Sequence, residues 1–227
     1  MQLDAQLLLL RAAERANITR SLTASWNCDW RQLQLSQHQS YDAIIAFHQQ
    51  ANLSSTIKPI YLLTGALAEV YFSVPGHGNI SPAQNGPWDS EKHTIDIWGT
   101  GDEKCDLTTE RDAAEFSVEF IQRDDAPNGG FWELHSGAYS PRELARIYKN
   151  VRGIEIAYNY RVALDDLRAF AHSLKDQKPY NDYYSFIGLF YQLFQLDRNY
   201  SLKNVENYKL NVNTTSMEDF LRQNPDV

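Results

Sequence analysis

The sequence has little cysteine and no long hydrophobic run, and both facts narrow the class of protein. Only Cys28 and Cys105 occur in 227 residues. Two cysteines are too few for a disulfide-stapled fold, so we expect reduced thiols and a cytoplasmic location. The segment MQLDAQLLLLRAAER holds only four consecutive leucines, flanked by Asp4 and Arg11. This pattern predicts neither a signal peptide nor a membrane span, and therefore a soluble protein with no membrane partner.

Motifs of several enzyme classes are also missing. The sequence contains no GxSxG elbow, no P-loop, no HExxH and no paired CxxC. The run IDIWGTGDE places Gly99 and Gly101 after a predicted strand, but Lys104 occupies the position of the third glycine in a dinucleotide fingerprint. No clear crossover helix is predicted after it. A dinucleotide site is therefore discounted, and the cofactor is left unknown.

Charge is uneven along the chain. The sequence has 21 basic and 29 acidic residues, for a formal net charge of −8. Nine acids against three bases lie between Gly101 and Asp125, which leaves six of the eight net negative charges in that segment. No stretch supplies the basic patch that phosphate binding needs, so nucleic acid is not an expected partner. Segment 101–125 is either a solvated face or a docking surface for a basic partner.

Composition and patterning predict an α+β fold in one domain over residues 1–227. The chain is 43% hydrophobic and 12% aromatic, enough for a sizeable core. Helical spacing predicts helices over residues 3–16, from near Ser40, and after the cap residue Ser140. Alternation predicts strands in between. We expect a central antiparallel sheet over about residues 57–139, packed against N-terminal and C-terminal helices.

The stretch Ala114–Tyr139 is predicted to be a β-hairpin that organises this sheet. Two alternating runs, AEFSVEFIQ and FWELHSGAY, flank the turn cluster RDDAPNGG. Side chains along a strand alternate between faces, so the apolar sides of both runs would meet the core. The opposite face would then collect four polar side chains: Glu115, Glu119, Glu133 and His135.

This carboxylate and histidine face is the leading candidate for catalysis. Glu133 and His135 would form an acid/base pair, with Glu115 and Glu119 as electrostatic supports. The glycine-rich loop around His77 would serve as a lid. These assignments predict an enzyme of hydrolase or transferase type acting on a polar or cationic small molecule.

Three alternatives stay open beside this hypothesis. A non-enzymatic acidic binding or inhibitor protein would dock a basic protein partner through residues 101–125. A metal site could use His135, Glu133 and His77, but no spacing motif enforces it, and we expect none. Cys28 could act as a nucleophile near a helix start, although a structural thiol is favoured.

Overall fold

The computed structural model describes residues 3–78, 80–161 and 163–227, and these residues contain eight α-helices and eight short strands. The helices are α1 (Leu3–Arg15), α2 (Asp42–Ser54), α3 (Ala68–Tyr71), α4 (Glu110–Gln122), α5 (Pro141–Arg152), α6 (Leu164–Gln177), α7 (Ile187–Leu196) and α8 (Met217–Gln223). The strands are β1 (Ile60–Leu63), β2 (Ala66–Leu67), β3 (Trp88–Asp89), β4 (Thr94–Ile97), β5 (Cys105–Thr108), β6 (Gly130–Glu133), β7 (Gly137–Tyr139) and β8 (Ala157–Tyr160). Within those ranges, none of the helices has both the length and the apolar character needed to cross a membrane.

Three parallel segments form the sheet on which the first helices pack. Strand β1 pairs in parallel with β6, and residues 22–27 run parallel to the other edge of β1 through bridges at Leu22 and Asn27. The predicted central antiparallel sheet is therefore wrong. Strand β1 reads IYLL and is buried at every position. A continuous apolar run of this kind is typical of a parallel strand that is covered on both faces.

Alternating side chains of β1 pack against helices on opposite faces of this sheet. Ile60 and Leu62 belong to the core cluster that includes Phe116 and Phe120 of α4. Tyr61 and Leu63 belong to the cluster formed with α1 and α2. The sheet thus lies between α1 and α2 on one face and α4 on the other, which is a mixed α/β layered arrangement.

Two smaller mixed sheets complete the strand pairing. Strand β5 pairs in parallel with β2 and antiparallel with β7, while β4 pairs antiparallel with β3 and in parallel with β8. Their apolar side chains pack with those of α5 and α8 in one core cluster. These sheets hold β4 and the loop after it beside α7. Whether the chain is one domain stays a prediction.

The helices that helical spacing and capping residues predicted from the sequence are confirmed. Helix α1 ends one residue before the predicted boundary, and α2 begins two residues after Ser40. At α5, the Ser140 hydroxyl accepts a hydrogen bond from the Glu143 backbone N–H at 3.2 Å. The Glu143 carboxylate accepts one from the Ser140 backbone N–H at 2.8 Å, which completes the predicted capping box.

The predicted hairpin over Ala114–Tyr139 is wrong, because its first half is helix α4. Phe116 and Phe120 are 0% and 1% exposed, whereas Val118 between them is 51% exposed. Residues four apart share a helix face and residues two apart do not, so this pattern follows the helical period. The second half is strand β6, as expected, but its partner is the distant β1. Trp132 packs on the face of the sheet that α4 covers. This is the core-facing side that the alternation along β6 predicted for it.

Candidate functional site

A cleft lies at the carboxyl ends of the parallel segments. Cys28 follows the segment that bridges to β1, and Ala66 follows β1 itself. Both residues line an inner cavity of about 80 Å³. Open α/β sheets bind their ligands in the crevice beyond the carboxyl ends of the strands. The topology therefore places this cavity where a ligand site is expected.

The walls of the inner cavity are mostly apolar and aromatic. One wall comes from β4, the loop that follows it, which includes Trp98, and Cys105 at the start of β5; the other comes from α7. The principal apolar and aromatic lining residues are Tyr71, Ile80, Trp98, Tyr191, Leu196 and Tyr200. Such a lining fits a flat, apolar molecule better than a charged one.

The cleft continues on both sides of the inner cavity. An outer pocket of about 500 Å³ shares Asp96, Trp98 and Gln192 with it. A third pocket of about 380 Å³ shares Glu103 and Gln195 with it. All three spaces are lined in part by α7, and we refer to them together as the cleft.

Helix α7 is held close to the loop before β3. A Cβ atom on Gly188 would lie 2.1 Å from the backbone oxygen of Gln84, so only glycine permits this approach. Gln192 Nε2 donates to the Asn85 backbone oxygen at 2.6 Å, and Asn85 Nδ2 donates to the Ser185 backbone oxygen at 2.9 Å. These contacts fix the position of one cleft wall.

Trp98 carries an unpartnered donor in the wall shared by the inner cavity and the outer pocket. Its indole Nε1 is buried and has no hydrogen-bond partner among the described residues. Buried polar groups in proteins are nearly always hydrogen-bonded, so an unpaired one calls for an explanation.

The Cys28 thiol that lines the inner cavity is chemically quiet. Cys28 is 3% exposed, and burial raises its pKa to about 12. The thiolate, not the thiol, is the nucleophile, and a pKa this high keeps the thiol protonated near neutral pH. The structure therefore supports the structural role that was favoured for Cys28.

Glu133 lies at the end of β6, where protein groups occupy its carboxylate. It is 4% exposed and forms an ion pair with Arg31. It also accepts hydrogen bonds from the backbone N–H groups of Lys203 at 2.6 Å and Asn204 at 2.8 Å. The carboxylate thus ties the segment after α7 to the parallel sheet.

We expect Glu133→Gln to lower the free energy of unfolding by about 1 to 2 kcal/mol. The amide removes the charge that pairs with Arg31, and its NH2 group faces groups that are themselves donors. Urea unfolding of the variant and the wild type measures the change. Glu115→Gln is the matched control, because the Glu115 side chain is 40% exposed, and it should change the value by less than about 0.5 kcal/mol. Equal urea midpoints for the wild type, Glu133→Gln and Glu115→Gln would contradict the role of Glu133 in tying the segment after α7 to the sheet.

His135 is paired with Asp106 and not with the predicted glutamates. Its Nδ1 lies 2.7 Å from Asp106 Oδ1, and the second oxygen of Asp106 accepts the Leu202 backbone N–H at 3.0 Å. The side chain of Asn207 donates to the His135 backbone oxygen at 2.7 Å. His135 therefore belongs to the same cluster of contacts that holds the segment after α7.

The remaining predicted site residues lie elsewhere. Glu115 and Glu119 are on α4, where Glu115 pairs with Arg111 at 3.0 Å. His77 pairs with Glu110 at 2.9 Å. The structure does not assemble the predicted face, and no cluster of three metal-ligating side chains occurs in the described ranges. Catalytic roles for Glu133, His135, Glu115 and Glu119 stay predictions.

The acidic side chains of segment 101–125 are largely paired with other groups of the same chain. Asp112 is 0% exposed, and Asp106 holds His135. The Glu103 carboxylate accepts hydrogen bonds from the backbone N–H groups of Thr100 at 3.0 Å and Gly101 at 2.9 Å. A run of charge in the sequence therefore does not become a uniform acidic surface.

Comparison with known proteins gives a match in fold and none in sequence. No protein-family model matches this chain, and no curated protein matches it at a significant level. The ternary complex of leucoanthocyanidin reductase from Vitis vinifera has a TM-score of 0.72 and 17% identity, over 97% of this chain and 74% of that chain. An isoflavone reductase has a TM-score of 0.73 and 13% identity, over 98% and 71%. AtPrR2 with NADP+ and (+)-pinoresinol has a TM-score of 0.71 and 19% identity, over 97% and 70%.

These likenesses establish the fold, which is a Rossmann-like fold shared with reductases and with a nucleoside-diphosphate-sugar epimerase from Staphylococcus aureus. The predicted hydrolase or transferase is wrong, and so is the alternative of an acidic binding or inhibitor protein. The names of the matching structures include reductases and an epimerase. The predicted polar substrate or basic protein partner is also not supported, since the named complexes hold NADPH, NADP+ and pinoresinol.

Sequence reasoning missed the cleft because its walls come from separate parts of the chain. Cys28, Ala66, Trp98 and Tyr191 lie in four different parts of the chain, and no local motif joins them. One signal was available. The continuous apolar run of β1 predicts a buried parallel strand, and parallel sheets carry ligand sites at their carboxyl edge. The glycine-rich loop around His77 contributes Ile80 to the cleft, and its predicted role as a lid stays a prediction.

Proposed function

We propose that this protein is an oxidoreductase of the NAD(P)-dependent reductase class, and that its substrate is a flat, largely apolar aromatic molecule bound in the cleft. The observation that carries the proposal is the aromatic cleft at the carboxyl ends of parallel strands. The fold supports it, because solved reductases share that fold and one of them is named in complex with NADP+ and pinoresinol. The predicted cytoplasmic location stays a prediction.

A nicotinamide cofactor makes two demands on a chain of this fold. Its ring needs an apolar crevice at the strand ends, and its pyrophosphate needs a glycine-rich turn leading from a strand into a helix. The described residues fit the first demand through the cleft at the strand ends, of which the outer pocket is the larger part. They do not fit the second, since Gly99 and Gly101 lead into strand β5 and not into a helix. The described residues therefore fit the nicotinamide ring and not the pyrophosphate.

The residues of this chain would bind and orient the substrate. A reduced nicotinamide, when bound, supplies a hydride. Tyr71, Ile80 and Leu196 would cover the faces of an aromatic ring and exclude water from the cavity. The unpaired Nε1–H of Trp98 would donate a hydrogen bond to a carbonyl or ether oxygen and so set the orientation of the ring.

Binding and turnover of chromone test this proposal. Chromone is a flat bicyclic ketone, and its affinity is measured by calorimetry with the full chain. We expect Trp98→Phe to weaken binding by about threefold to tenfold, which is the scale of one lost hydrogen bond. Trp26→Phe is the matched control, because the Trp26 indole donates to Ser117 at 2.8 Å and Trp26 is not a cleft residue. It should leave the affinity unchanged.

The same protein should oxidise NADPH only when chromone or pinoresinol is present. Absence of chromone binding at millimolar concentration would contradict the cleft as a binding site. Chromone binding without any NADPH oxidation, with either compound, would contradict the oxidoreductase assignment and leave a binding protein. If Trp98→Phe and Trp26→Phe weakened chromone binding equally, the effect of Trp98→Phe would come from a loss of protein stability and not from a lost contact in the cleft.

A further inference from the structure

The parallel sheet ends at residues 22–27, which have β1 on one side and no strand of the described ranges on the other. At the Leu22 bridge, the Thr23 N–H donates to the Ile60 carbonyl at 2.9 Å, and the Ile60 N–H donates to the Ser21 carbonyl at 2.8 Å. Backbone groups alternate in direction along an extended chain, so the N–H and C=O of Leu22 point away from β1. Neither group has a hydrogen-bond partner among the described residues. We refer to residues 22–27 as the open edge.

The helix that leads into the open edge exposes apolar side chains. Leu8 and Leu9 of α1 are 68% and 62% exposed, and Ile18, between α1 and the open edge, is 51% exposed. The same helix packs on the core through other residues, which include Leu10 and Ala13. An unpaired sheet edge next to a helix with exposed leucines is a surface that a further element can cover.

The direction of the open edge determines what a strand added there would carry to the cleft. Cys28 directly follows the open edge and lines the inner cavity. A strand that extended the sheet in parallel would therefore also end at the cleft. In dinucleotide-binding folds, the turn after such a strand is rich in glycine, and it leads into the helix whose N-terminus binds the pyrophosphate.

This turn is the part of a dinucleotide site that the described residues do not provide. They fit the nicotinamide ring, but they offer no glycine-rich turn from a strand into a helix. The solved leucoanthocyanidin reductase is named in complex with NADPH, and the match covers 98% of this chain but 71% of that chain. More than a quarter of that reductase thus has no counterpart here. The open edge and the lacking turn have one common explanation.

We propose that this chain binds only the nicotinamide half of the cofactor, and that a partner polypeptide supplies the pyrophosphate site. The partner would add a strand, a glycine-rich turn and a helix in parallel to the open edge. Its strand pairs with the backbone of Leu22, and its apolar side chains pack on Leu8 and Leu9 of α1. This inference rests on the proposed function, because it takes the cofactor to be a nicotinamide dinucleotide.

The first test compares two nucleotides on the full chain alone. Reduced nicotinamide mononucleotide carries the same ring as NADPH without the pyrophosphate link and the adenosine. Calorimetry gives both dissociation constants, and we expect them to agree within about threefold. A chain with a pyrophosphate site of its own would bind NADPH at least about tenfold more tightly, which is the scale of one hydrogen bond to a charged group.

The second test adds a phosphate-binding unit as a probe. The probe is the first strand–turn–helix–strand unit of the leucoanthocyanidin reductase, used as a free polypeptide and also joined ahead of the full chain through a glycine–serine linker. Each form should raise the affinity for NADPH by about tenfold or more and leave that for the mononucleotide unchanged. Amide hydrogen exchange should slow at Leu22 and stay the same at Thr23, which is already bonded to Ile60.

A pair of leucine variants locates the contact with the free unit. Leu9→Lys places a charge on the exposed side of α1 and should weaken binding of the unit by about tenfold, because a packed leucine is lost. Leu53→Lys is the matched control, since Leu53 is 83% exposed on α2, and it should leave binding unchanged. Thermal unfolding confirms that both variants are folded.

The outcomes separate this inference from the proposed function. If the chain alone bound NADPH about tenfold more tightly than the mononucleotide, the inference would be overturned and the proposed reductase would stand. If neither form of the unit raised the affinity for NADPH, or if Leu9→Lys and Leu53→Lys acted alike, the open edge would not be the docking surface. If neither nucleotide bound, with or without the unit, the proposed function would fall together with the inference.

Discussion

Asp112→Ala is expected to lower the free energy of unfolding by about 3 to 5 kcal/mol. The carboxylate is 0% exposed and accepts hydrogen bonds from the Thr215 backbone N–H at 2.7 Å and the Thr215 hydroxyl at 2.8 Å. It also accepts one from the Ser136 hydroxyl. Alanine leaves all of these donors unpaired in the interior. Chemical denaturation followed by circular dichroism measures the loss.

Asp165→Ala is the control for this prediction. The Asp165 side chain is 94% exposed and pairs with Arg168 one turn away on α6. Its replacement should change the free energy of unfolding by less than about 0.5 kcal/mol. Asp112→Ala also frees the segment before α8, so amide hydrogen exchange should quicken there first. A loss of less than about 1 kcal/mol would show that Asp112 does not join the segments as described.

Leu134→Ala is expected to cost about 2 to 5 kcal/mol. Leu134 is 0% exposed in the core cluster between the parallel sheet and α4, where it shares contacts with Phe116 and Phe120. The truncated side chain leaves a cavity in addition to the lost burial. Urea unfolding gives the value.

Leu53→Ala is the matched substitution on α2. Leu53 is 83% exposed, so its truncation should be nearly neutral. If both leucine variants lost the same stability, the core between β6 and α4 would be assigned wrongly. If Leu134→Ala were neutral, the residue could not lie between the sheet and the helix.

Local signals in the sequence predicted several elements correctly. The capping box at Ser140 and Glu143 is formed by neighbours in the chain, and it fixes the start of α5 without help from the rest of the fold. Strand β4 was likewise recognised from the alternation of Ile95 and Ile97, which are 0% and 1% exposed. Such features depend on spacing within a few residues, which a single sequence displays.

Features that depend on distant pairing could not be predicted in the same way. The run FSVEF fits a strand by alternation and a helix by the four-residue spacing of Phe116 and Phe120. Only packing against β1, some fifty residues earlier in the chain, decides for the helix. The pairing of Leu62 with Trp132 is of the same kind. Because these contacts are set by the whole chain, the central pairing was expected to be antiparallel, whereas β1 and β6 pair in parallel.

The predicted catalytic face is not assembled in the structure, for a related reason. Polar residues at alternating positions were taken as a catalytic face, but Glu133 and His135 are used to hold the segment after α7. The cleft is instead lined mainly by apolar residues, which carry no catalytic motif. The unpaired Trp98 donor is visible only in three dimensions.

The most direct test of the central claim is to map chromone binding by nuclear magnetic resonance on isotope-labelled full-length chain. If the cleft is the binding site, the indole N–H signal of Trp98 and the side-chain amide signals of Gln192 and Gln195 should shift together and saturate at one dissociation constant. The indole signal of Trp26 should stay in place, because its donor is held by Ser117. Shifts that leave Trp98 untouched while other surfaces respond would contradict the account.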